Sequence, residues 1–254
     1  MTRRTLLLTP CLLAAQSARP SVSVRWIVAR SVPPEFARES VVFPRAYLGC
    51  PDATWTRVVL ERGRFPHDRS ADARDLTSFF GTRTSTNAIT VLTTGSGDGG
   101  DSPFDRSLRV PLAIRWPGHL TPRVADDLLI SHVDILPTLL GMAGIPAPAG
   151  MHGRDVSSLI LNRRGPLPNS IYAQGRIGAT AEWRMVLRGF DKIIWNLRDE
   201  VTGLYNLADD PEEAINLTGN RSHRLTQDSM MALARQWMQR LEDGMDSSGL
   251  RLRR

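Results

Sequence analysis

Two apolar, β-branched runs separated by a glycine-rich loop constrain the fold of this chain more than any other feature. Residues Ala88–Thr94 read A-I-T-V-L-T-T, and residues Val110–Trp116 read V-P-L-A-I-R-W before a Pro-Gly pair ends the run. Short apolar runs bounded by turn residues are typical of buried strands. A helical segment, His132–Ala143, follows, with Pro137 in its first turn, where a missing N–H costs little. Together these segments predict an α/β fold.

The C-terminal third predicts a second, smaller unit. The runs Glu182–Arg188, Asp191–Asn196 and Gly203–Leu207 alternate with turns and indicate an antiparallel meander. A helix that covers this sheet is predicted by apolar residues at helical spacing, namely Met231, Ala234, Trp237, Met238 and Leu241. We therefore place residues 19–165 in an α/β domain and residues 166–254 in an antiparallel subdomain with its covering helix.

The net charge of the chain limits the classes of molecule that it is expected to bind. The 254-residue chain has a formal net charge of +6 and a pI of about 10.3, carried by Arg far more than by Lys. A basic surface attracts sulfated or acidic polysaccharide, anionic lipid or nucleic acid, although a genome rich in Arg codons gives the same composition. Because no arginine-rich run is interleaved with aromatic residues, we expect no nucleic-acid binding. No sequence feature predicts the oligomeric state.

The N-terminus has the pattern of an export signal. A charged start with an Arg3-Arg4 pair is followed by a short apolar run, and Ala14–Ala18 supplies small residues for cleavage. We therefore expect residues 1–18 to be a secretory signal, of a type resembling twin-arginine signals, and the protein to be exported. The apolar run is too short for a stable membrane span, and no other segment qualifies. A short amphipathic helix is the alternative.

Three motifs point to one family. Residues Cys50–His67 read C-P-D-A-T-W-T-R-V-V-L-E-R-G-R-F-P-H, Ser107–Gly118 read S-L-R-V-P-L-A-I-R-W-P-G, and Leu204–Glu213 read L-Y-N-L-A-D-D-P-E-E. They resemble the sulfatase family, a branch of the alkaline-phosphatase-like hydrolases. Its corresponding patterns include C-P-x-C-x-P-S-R-A-A-L-L-T-G-R-x-P-H and L-Y-D-L-x-x-D-P-x-E. The resemblance implies a reduced alkaline-phosphatase-like sheet flanked by helices, followed by the small antiparallel sheet and its helix.

The resemblance also implies a reaction whose nucleophile this chain lacks. Family members hydrolyse sulfuric esters with a formylglycine that forms from the second Cys of the motif C-x-P-S-R. Anchoring on Gly63–His67 and counting back places Arg57 on the motif's Arg and Ala53 where the Cys stands. Cys50 does not replace it, because counting from Cys50 places Thr54 on the motif's Arg. The methyl group of Ala53 cannot become an aldehyde.

The calcium ligands that the resemblance implies are missing as well. The first predicted strand, residues 21–30, contains no acidic residue where the family has a pair of Asp residues. The second ligand pattern, T-S-D-H-G-D or T-S-D-N-G-D, corresponds to T-T-G-S-G-D at Thr93–Asp98, so Gly95 and Ser96 replace two ligands. The stretch between Arg57 and Gly95 is also too short for the family section that carries an active-site Lys and His. We expect no bound calcium in this chain.

The remaining polar residues have ordinary structural interpretations. Asp98 and Asp101 lie on the glycine-rich loop, where they are solvated carboxylates or weak cation ligands. His67 and His132 match family positions beside the site and in the helix, and we expect them to make structural hydrogen bonds. Arg57 is the only residue of the motif carried over from those that contact the formylglycine in the family. The alternative is that it is a surface arginine left from the motif.

Three functional hypotheses follow. The chain is a degenerate, exported sulfatase-family protein that is inactive toward sulfate esters, in effect a pseudoenzyme or fragment. Alternatively, it is a non-catalytic protein that binds sulfated or acidic polysaccharide through its basic surface. A third possibility is a residual hydrolase that uses Thr54 or Thr56 with Arg57. The parent substrate is not predicted, because the specificity loops belong to the missing section.

Overall fold

The computed structural model describes residues 22–68, 75–80 and 85–243. Its strands are, in chain order, β1 (Ser23–Val28), β2 (Val41–Val42), β3 (Ala46–Tyr47), β4 (Ala88–Thr93), β5 (Leu112–Arg115), β6 (Arg123–Val124), β7 (Ile130–Ser131), β8 (Ser170–Gly175), β9 (Trp183–Arg188), β10 (Asp191–Asn196) and β11 (Val201–Asn206). Its helices are α1 (Pro34–Ala37), α2 (Ala53–Arg62), α3 (Leu76–Phe80), α4 (Asp105–Leu108), α5 (Ile135–Met142), α6 (Ser157–Asn162) and α7 (Arg224–Leu241). The export signal predicted for residues 1–18 lies outside the described residues. Within them, no helix is both long and apolar enough to cross a membrane.

The first sheet is mixed and has the strand order β1-β4-β5-β2-β6. β1 and β4 run parallel, with Ser23 opposite Ala88 and Val28 opposite Thr93. β4, β5 and β2 are antiparallel neighbours, and β6 is parallel to β2. Every residue of β4 is buried, which explains why its sequence is continuously apolar and β-branched rather than alternating. β5 begins later than predicted because Pro111 has no N–H to donate to a neighbouring strand.

The parallel pairing brings the ends of β1 and β4 to the same edge of the sheet. Just beyond β1, the Ala29 N–H donates to the Thr93 carbonyl at 3.0 Å. The chain then continues from β1 into Arg30 and from β4 into the loop Thr94–Asp98. Because α/β folds bind ligands outside the carboxyl ends of their strands, this edge is the place to look for a site.

The predicted helix at residues 132–143 consists of a 3-10 turn, His132–Asp134, followed by α5. A capping box fixes the turn, because the Ser131 N–H donates to the Asp134 carboxylate at 3.0 Å. Pro137 lies in the first turn of α5, as predicted. The buried helix packs against α2 and α6 and completes the core beside the first sheet.

The second sheet is antiparallel, with the order β11-β10-β9-β8. α7 lies against β9 and β10 and buries Met231, Ala234, Trp237 and Leu241, so the predicted meander and its covering helix are confirmed. β8 was not predicted. Its sequence S-I-Y-A-Q-G is buried at every position, and it therefore lacks the alternation that marks a half-exposed strand.

Packing connects the two sheets. Ile114 of the first sheet and Ile171 of the second belong to one cluster of buried apolar residues. A second cluster joins Val59 of α2 to Trp195 of β10 and to the inner face of α7. The motif helix α2 is therefore supported by the C-terminal sheet. The domain boundary predicted between residues 165 and 166 stays a prediction.

Candidate functional site

The position predicted for the missing nucleophile lies at the start of α2. Ala53 is the first residue of the helix and is exposed. Asp52 caps the helix, since its carboxylate accepts hydrogen bonds from the N–H groups of Thr54 at 2.9 Å and Trp55 at 3.1 Å. An uncapped helix N-terminus offers such N–H groups and a positive dipole to a bound anion. Here the protein's own carboxylate already uses them.

Arg57 lies one helical turn after Ala53, on the same exposed face of α2. Its side chain is 80% exposed, and its Nε donates to the Glu61 carboxylate at 2.8 Å. This hydrogen bond and the charge of Glu61 raise the pKa of Arg57 above its ordinary value. The structure thus places the two predicted site residues on one face of the helix, with Arg57 paired to Glu61.

The hydroxyl and thiol groups around Ala53 differ in exposure. Thr56 is buried, and its hydroxyl donates to the main-chain oxygens of Cys50 at 2.6 Å and Asp52 at 2.9 Å. Thr54 is exposed at the helix start. Cys50 is free and fully buried, and burial raises the pKa of its thiol to about 12. Because the thiolate is the reactive form, a thiol with this pKa is a poor nucleophile near neutral pH.

The edge shared by β1 and β4 does not fit calcium. Calcium takes six to eight oxygen ligands, several of them carboxylates, but Gly95 offers no side chain and the first residue beyond Ala29 is the cation Arg30. No group of three or more His, Cys, Asp or Glu side chains with metal-binding geometry occurs in the described ranges. Asp101 is engaged elsewhere, because its carboxylate accepts the Arg176 N–H at 2.9 Å.

The same edge has the opposite charge to a calcium site. An open cleft of about 530 Å³, which we call the edge cleft, is lined by Arg30, Thr94, Ser96, Gly97, Asp98, Arg106, Arg109, Val110 and Pro111. Three arginines and one aspartate give its lining a net charge of +2. Sequence reasoning missed this cleft. The sequence did contain a signal for its positive charge. Residues Pro103–Arg109 read P-F-D-R-S-L-R and correspond to the family stretch P-x-x-E-S-L-R, so Arg106 replaces a Glu.

His67 and His132 both have partners inside the protein. The ring of His67 lies between the side-chain amide of Gln174 and the Leu241 carbonyl oxygen, 3.0 Å from each. His132 is completely buried, with Nε2 2.9 Å from the Thr93 hydroxyl, and burial lowers its pKa to about 3. Both contacts link elements of the fold, His67 to the end of α7 and His132 to the end of β4.

A buried charge cluster explains part of the Leu204–Glu213 motif. Lys192 is fully buried in β10 and contacts the carboxylates of Asp105 at 2.9 Å and Glu213 at 2.7 Å. Glu213, the last residue of the motif, therefore joins the second sheet to α4, next to the edge cleft. Sequence reasoning missed the cluster, although a lysine inside the apolar run D-K-I-I-W-N of β10 was a signal for a buried ion pair.

Comparison with known proteins agrees with the motifs. The family model for the C-terminal part of N-sulphoglucosamine sulphohydrolase matches residues 102–240, more than half of the chain. An endo-4-O-sulfatase from Bacteroides thetaiotaomicron is 35% identical over 80 residues, covering 31% of this chain and 16% of that protein. An extracellular sulfatase SULF-1 homolog from Drosophila melanogaster is 41% identical over 61 residues, covering 24% and 5%.

The fold is also shared with solved sulfatases. The structure of a 2-O GAG sulfatase superposes with a TM-score of 0.57 at 24% identity, covering 66% of this chain and 40% of that one. The chain therefore spans less than half the length of the proteins it matches. The family model, the relatives and the common alkaline-phosphatase-like fold lead to one conclusion: this chain belongs to the sulfatase family.

Proposed function

We propose that this chain is a sulfatase-family protein that binds sulfated or acidic polysaccharide without hydrolysing sulfate esters. One observation carries the proposal. The exposed Ala53, whose side chain is a methyl group, occupies the first position of α2, where the motif places the nucleophile. The Asp52 carboxylate accepts the hydrogen bonds of the two N–H groups beside it, those of Thr54 and Trp55.

Sulfate-ester hydrolysis needs a nucleophile at the sulfur and positive charge around the sulfate oxygens. The methyl group of Ala53 supplies no nucleophile. The Asp52 carboxylate adds negative charge at the helix start, so it repels the anion that a catalytic site has to hold. Arg57 is the nearest motif cation, but it is solvent-exposed and paired with Glu61.

The edge of β1 and β4 supports the same proposal. Gly95 and Ser96 take the places of two metal ligands, and Arg30 follows β1 as a cation in a place where a bound metal needs anions. A divalent ion there would meet a net positive lining and would be repelled. We therefore propose that the chain uses no calcium.

Binding of polysaccharide is favoured by charge and by the relatives. The net charge of +6 attracts polyanions, and the superposed 2-O sulfatase acts on GAG according to its name. The N-terminal signal pattern, together with the extracellular Drosophila relative, supports export of the chain to a place where such polymers occur.

A residual hydrolase that uses Thr54 or Thr56 is the competing function. The Thr56 hydroxyl already donates to two main-chain oxygens, which leaves it badly placed to attack a substrate. Thr54 is open to solvent, but among the described residues no histidine or carboxylate accepts a hydrogen bond from its hydroxyl as a general base would. A threonine hydroxyl without such a base is a weak nucleophile.

The test is turnover of an aryl sulfate ester by the purified full chain. We expect release of the phenol at the rate of the protein-free blank. Three variants make the result specific: Arg57→Ala, Thr54→Val and, as an arginine-loss control outside both regions, Arg221→Ala. Turnover that is kept in Arg221→Ala but lost in Arg57→Ala or Thr54→Val would refute the proposal and establish the residual hydrolase.

A further inference from the structure

We infer that the edge cleft binds a sulfate group of a polysaccharide directly through Arg30, Arg106 and Arg109, with no metal ion between protein and sulfate. The inference rests on the proposed function and assigns it a site. Ligand clefts in proteins are on the order of 300 to 1,000 Å³, so a volume of about 530 Å³ is large enough for a sulfated sugar unit.

The arginines of the cleft are available to a ligand. In the described part of the chain, neither Arg106 nor Arg109 has a carboxylate within ion-pair distance. Arg30 pairs with Asp98 at 3.8 Å, but the two side chains are 94% and 90% exposed. Exposed pairs of this kind are worth little, so a sulfate oxygen can replace the Asp98 carboxylate at low cost.

The main chain that carries the arginines is held in place by hydrogen bonds and close packing. The Asp98 N–H donates to the Arg106 carbonyl at 3.0 Å, which fixes the loop after β4 against α4. Gly97 makes this contact possible, because a Cβ at this position would clash with the main-chain oxygen of Ser107. Arg109 is fixed by its own side chain, whose Nε donates to the Pro44 carbonyl at 2.9 Å.

These contacts hold arginines from two distant parts of the sequence in the lining of one cleft. Guanidinium presents N–H donors in a planar fork that matches the oxygens of a tetrahedral anion. Thr94 and Ser96 line the same cleft. The Thr94 hydroxyl donates to the Ser96 main-chain oxygen at 3.1 Å, so the Ser96 hydroxyl is the neutral donor offered to a ligand. Arg30 thus places a positive charge at the carboxyl edge of the sheet. This charge comes from a side chain of the protein and not from a metal ion.

Gly95 offers a charge test that removes no arginine. A Cβ at Gly95 would have no atom within 4 Å, so a side chain fits there without displacing a neighbour. Gly95→Asp introduces a carboxylate between Thr94 and Ser96, two residues that line the cleft, and Gly95→Asn introduces the same shape without charge. A sulfate-binding cleft should respond to the first substitution and tolerate the second.

The experiment is calorimetric titration of the full chain with a heparin oligosaccharide, after thermal unfolding has shown that each variant folds. We expect Arg106→Ala, Arg109→Ala and Gly95→Asp each to weaken binding about tenfold, the usual effect of losing or opposing one charge-assisted hydrogen bond. Gly95→Asn and Arg221→Ala should bind like the natural chain. Hyaluronan, which carries carboxylates but no sulfates, should bind much more weakly than heparin.

The outcomes separate the site from the function. Unchanged heparin binding in all three charge variants would overturn the edge cleft as the site while leaving polysaccharide binding intact. Equal affinity for hyaluronan and heparin would overturn the assignment to sulfate. If the natural chain does not bind heparin at all, the polysaccharide part of the proposed function fails together with the inference.

Discussion

Arg184 and Asp243 form a two-point ion pair in the protein interior, with Nε and Nη2 of the guanidinium 2.8 Å and 2.7 Å from the two carboxylate oxygens. The pair joins β9 to the residue that follows α7 by two positions. Arg184 also contacts Glu182 at 2.7 Å, and the Tyr172 hydroxyl donates to Asp243. The covering helix is therefore attached to its sheet by buried charge as well as by apolar packing.

Breaking this pair on one side should be costly. Asp243→Asn leaves a buried guanidinium short of one carboxylate, and we expect the free energy of unfolding to fall by about 3 to 5 kcal/mol. Replacing both partners, as Arg184→Met with Asp243→Leu, should cost less than the two single changes together. Urea unfolding of Asp243→Asn, of the single variants Arg184→Met and Asp243→Leu, and of the double variant measures this, and strictly additive losses would show that the pair contributes no coupling.

Stability should fall in mild acid because of two histidines, His132, which is fully buried, and His152, which is partly buried. Burial lowers the pKa of His132 to about 3 and that of His152 to about 4, whereas histidine in an unfolded chain titrates near 6.5. Between these values the unfolded chain binds protons that the folded chain does not, so stability decreases as the pH falls from about 7 to 4.

His132→Gln tests this dependence. It should reduce the slope of unfolding free energy against pH by about 1.4 kcal/mol per pH unit within that window, the share of one proton. The exposed His119→Gln serves as the control and should keep the natural slope. Urea unfolding at pH 7, 5.5 and 4 gives the slopes, and an identical slope in His132→Gln would contradict the buried neutral state of this histidine.

Calcium should not stabilise the chain. An ion that binds only the folded state raises the melting temperature by mass action. At a concentration of one hundred times its Kd, it adds about 2.7 kcal/mol to the free energy of unfolding. Because the edge cleft is net positive and its lining holds a single carboxylate, that of Asp98, we expect the same melting temperature with and without millimolar calcium. Differential scanning calorimetry of the chain from Arg19 onward measures this, and a rise of several degrees would mean that a metal site survives.

The predicted boundary between residues 165 and 166 lies in an exposed connection. Residues 162–167 are all exposed, and two of them, Arg163 and Arg164, are sites for trypsin. We expect the first tryptic cut within the described residues to fall there, and the two pieces to stay associated because Ile114 and Ile171 share one core cluster. Mass spectrometry and gel filtration after brief digestion check both points. Early cleavage at another described arginine, or separation of the pieces, would contradict this boundary or this packing.

Local sequence pattern predicted most of the fold. β4 is a continuous apolar run, β9 to β11 alternate with turns, and α7 repeats apolar residues at helical spacing, so each pattern identifies its element. β8 was missed because both of its faces are buried and Gln174 interrupts its apolar sequence. β4 is buried at every position as well, but its apolar run is not interrupted by a side chain as polar as Gln174, and the run therefore identifies the strand.

The candidate site, like the fold, could be predicted from the sequence only in part. Counting along the motif identified Ala53 and Arg57, and the structure places both on the exposed face of α2; their role in a site stays a prediction. The edge cleft was missed because Arg30 and Arg106 are far apart in sequence and meet only through the pairing of β1 with β4 and the contact of the following loop with α4. Long-range strand pairing of this kind leaves no local signal.

The central claim is that the chain binds sulfated polysaccharide and leaves its sulfate esters intact. It is tested most directly by incubating the full chain with heparin at a concentration where calorimetry shows the polymer bound, and then measuring free sulfate by ion chromatography. The account predicts saturable binding with no sulfate above the protein-free control. Free sulfate that increases with time and protein concentration, and that disappears in Arg57→Ala, would contradict it.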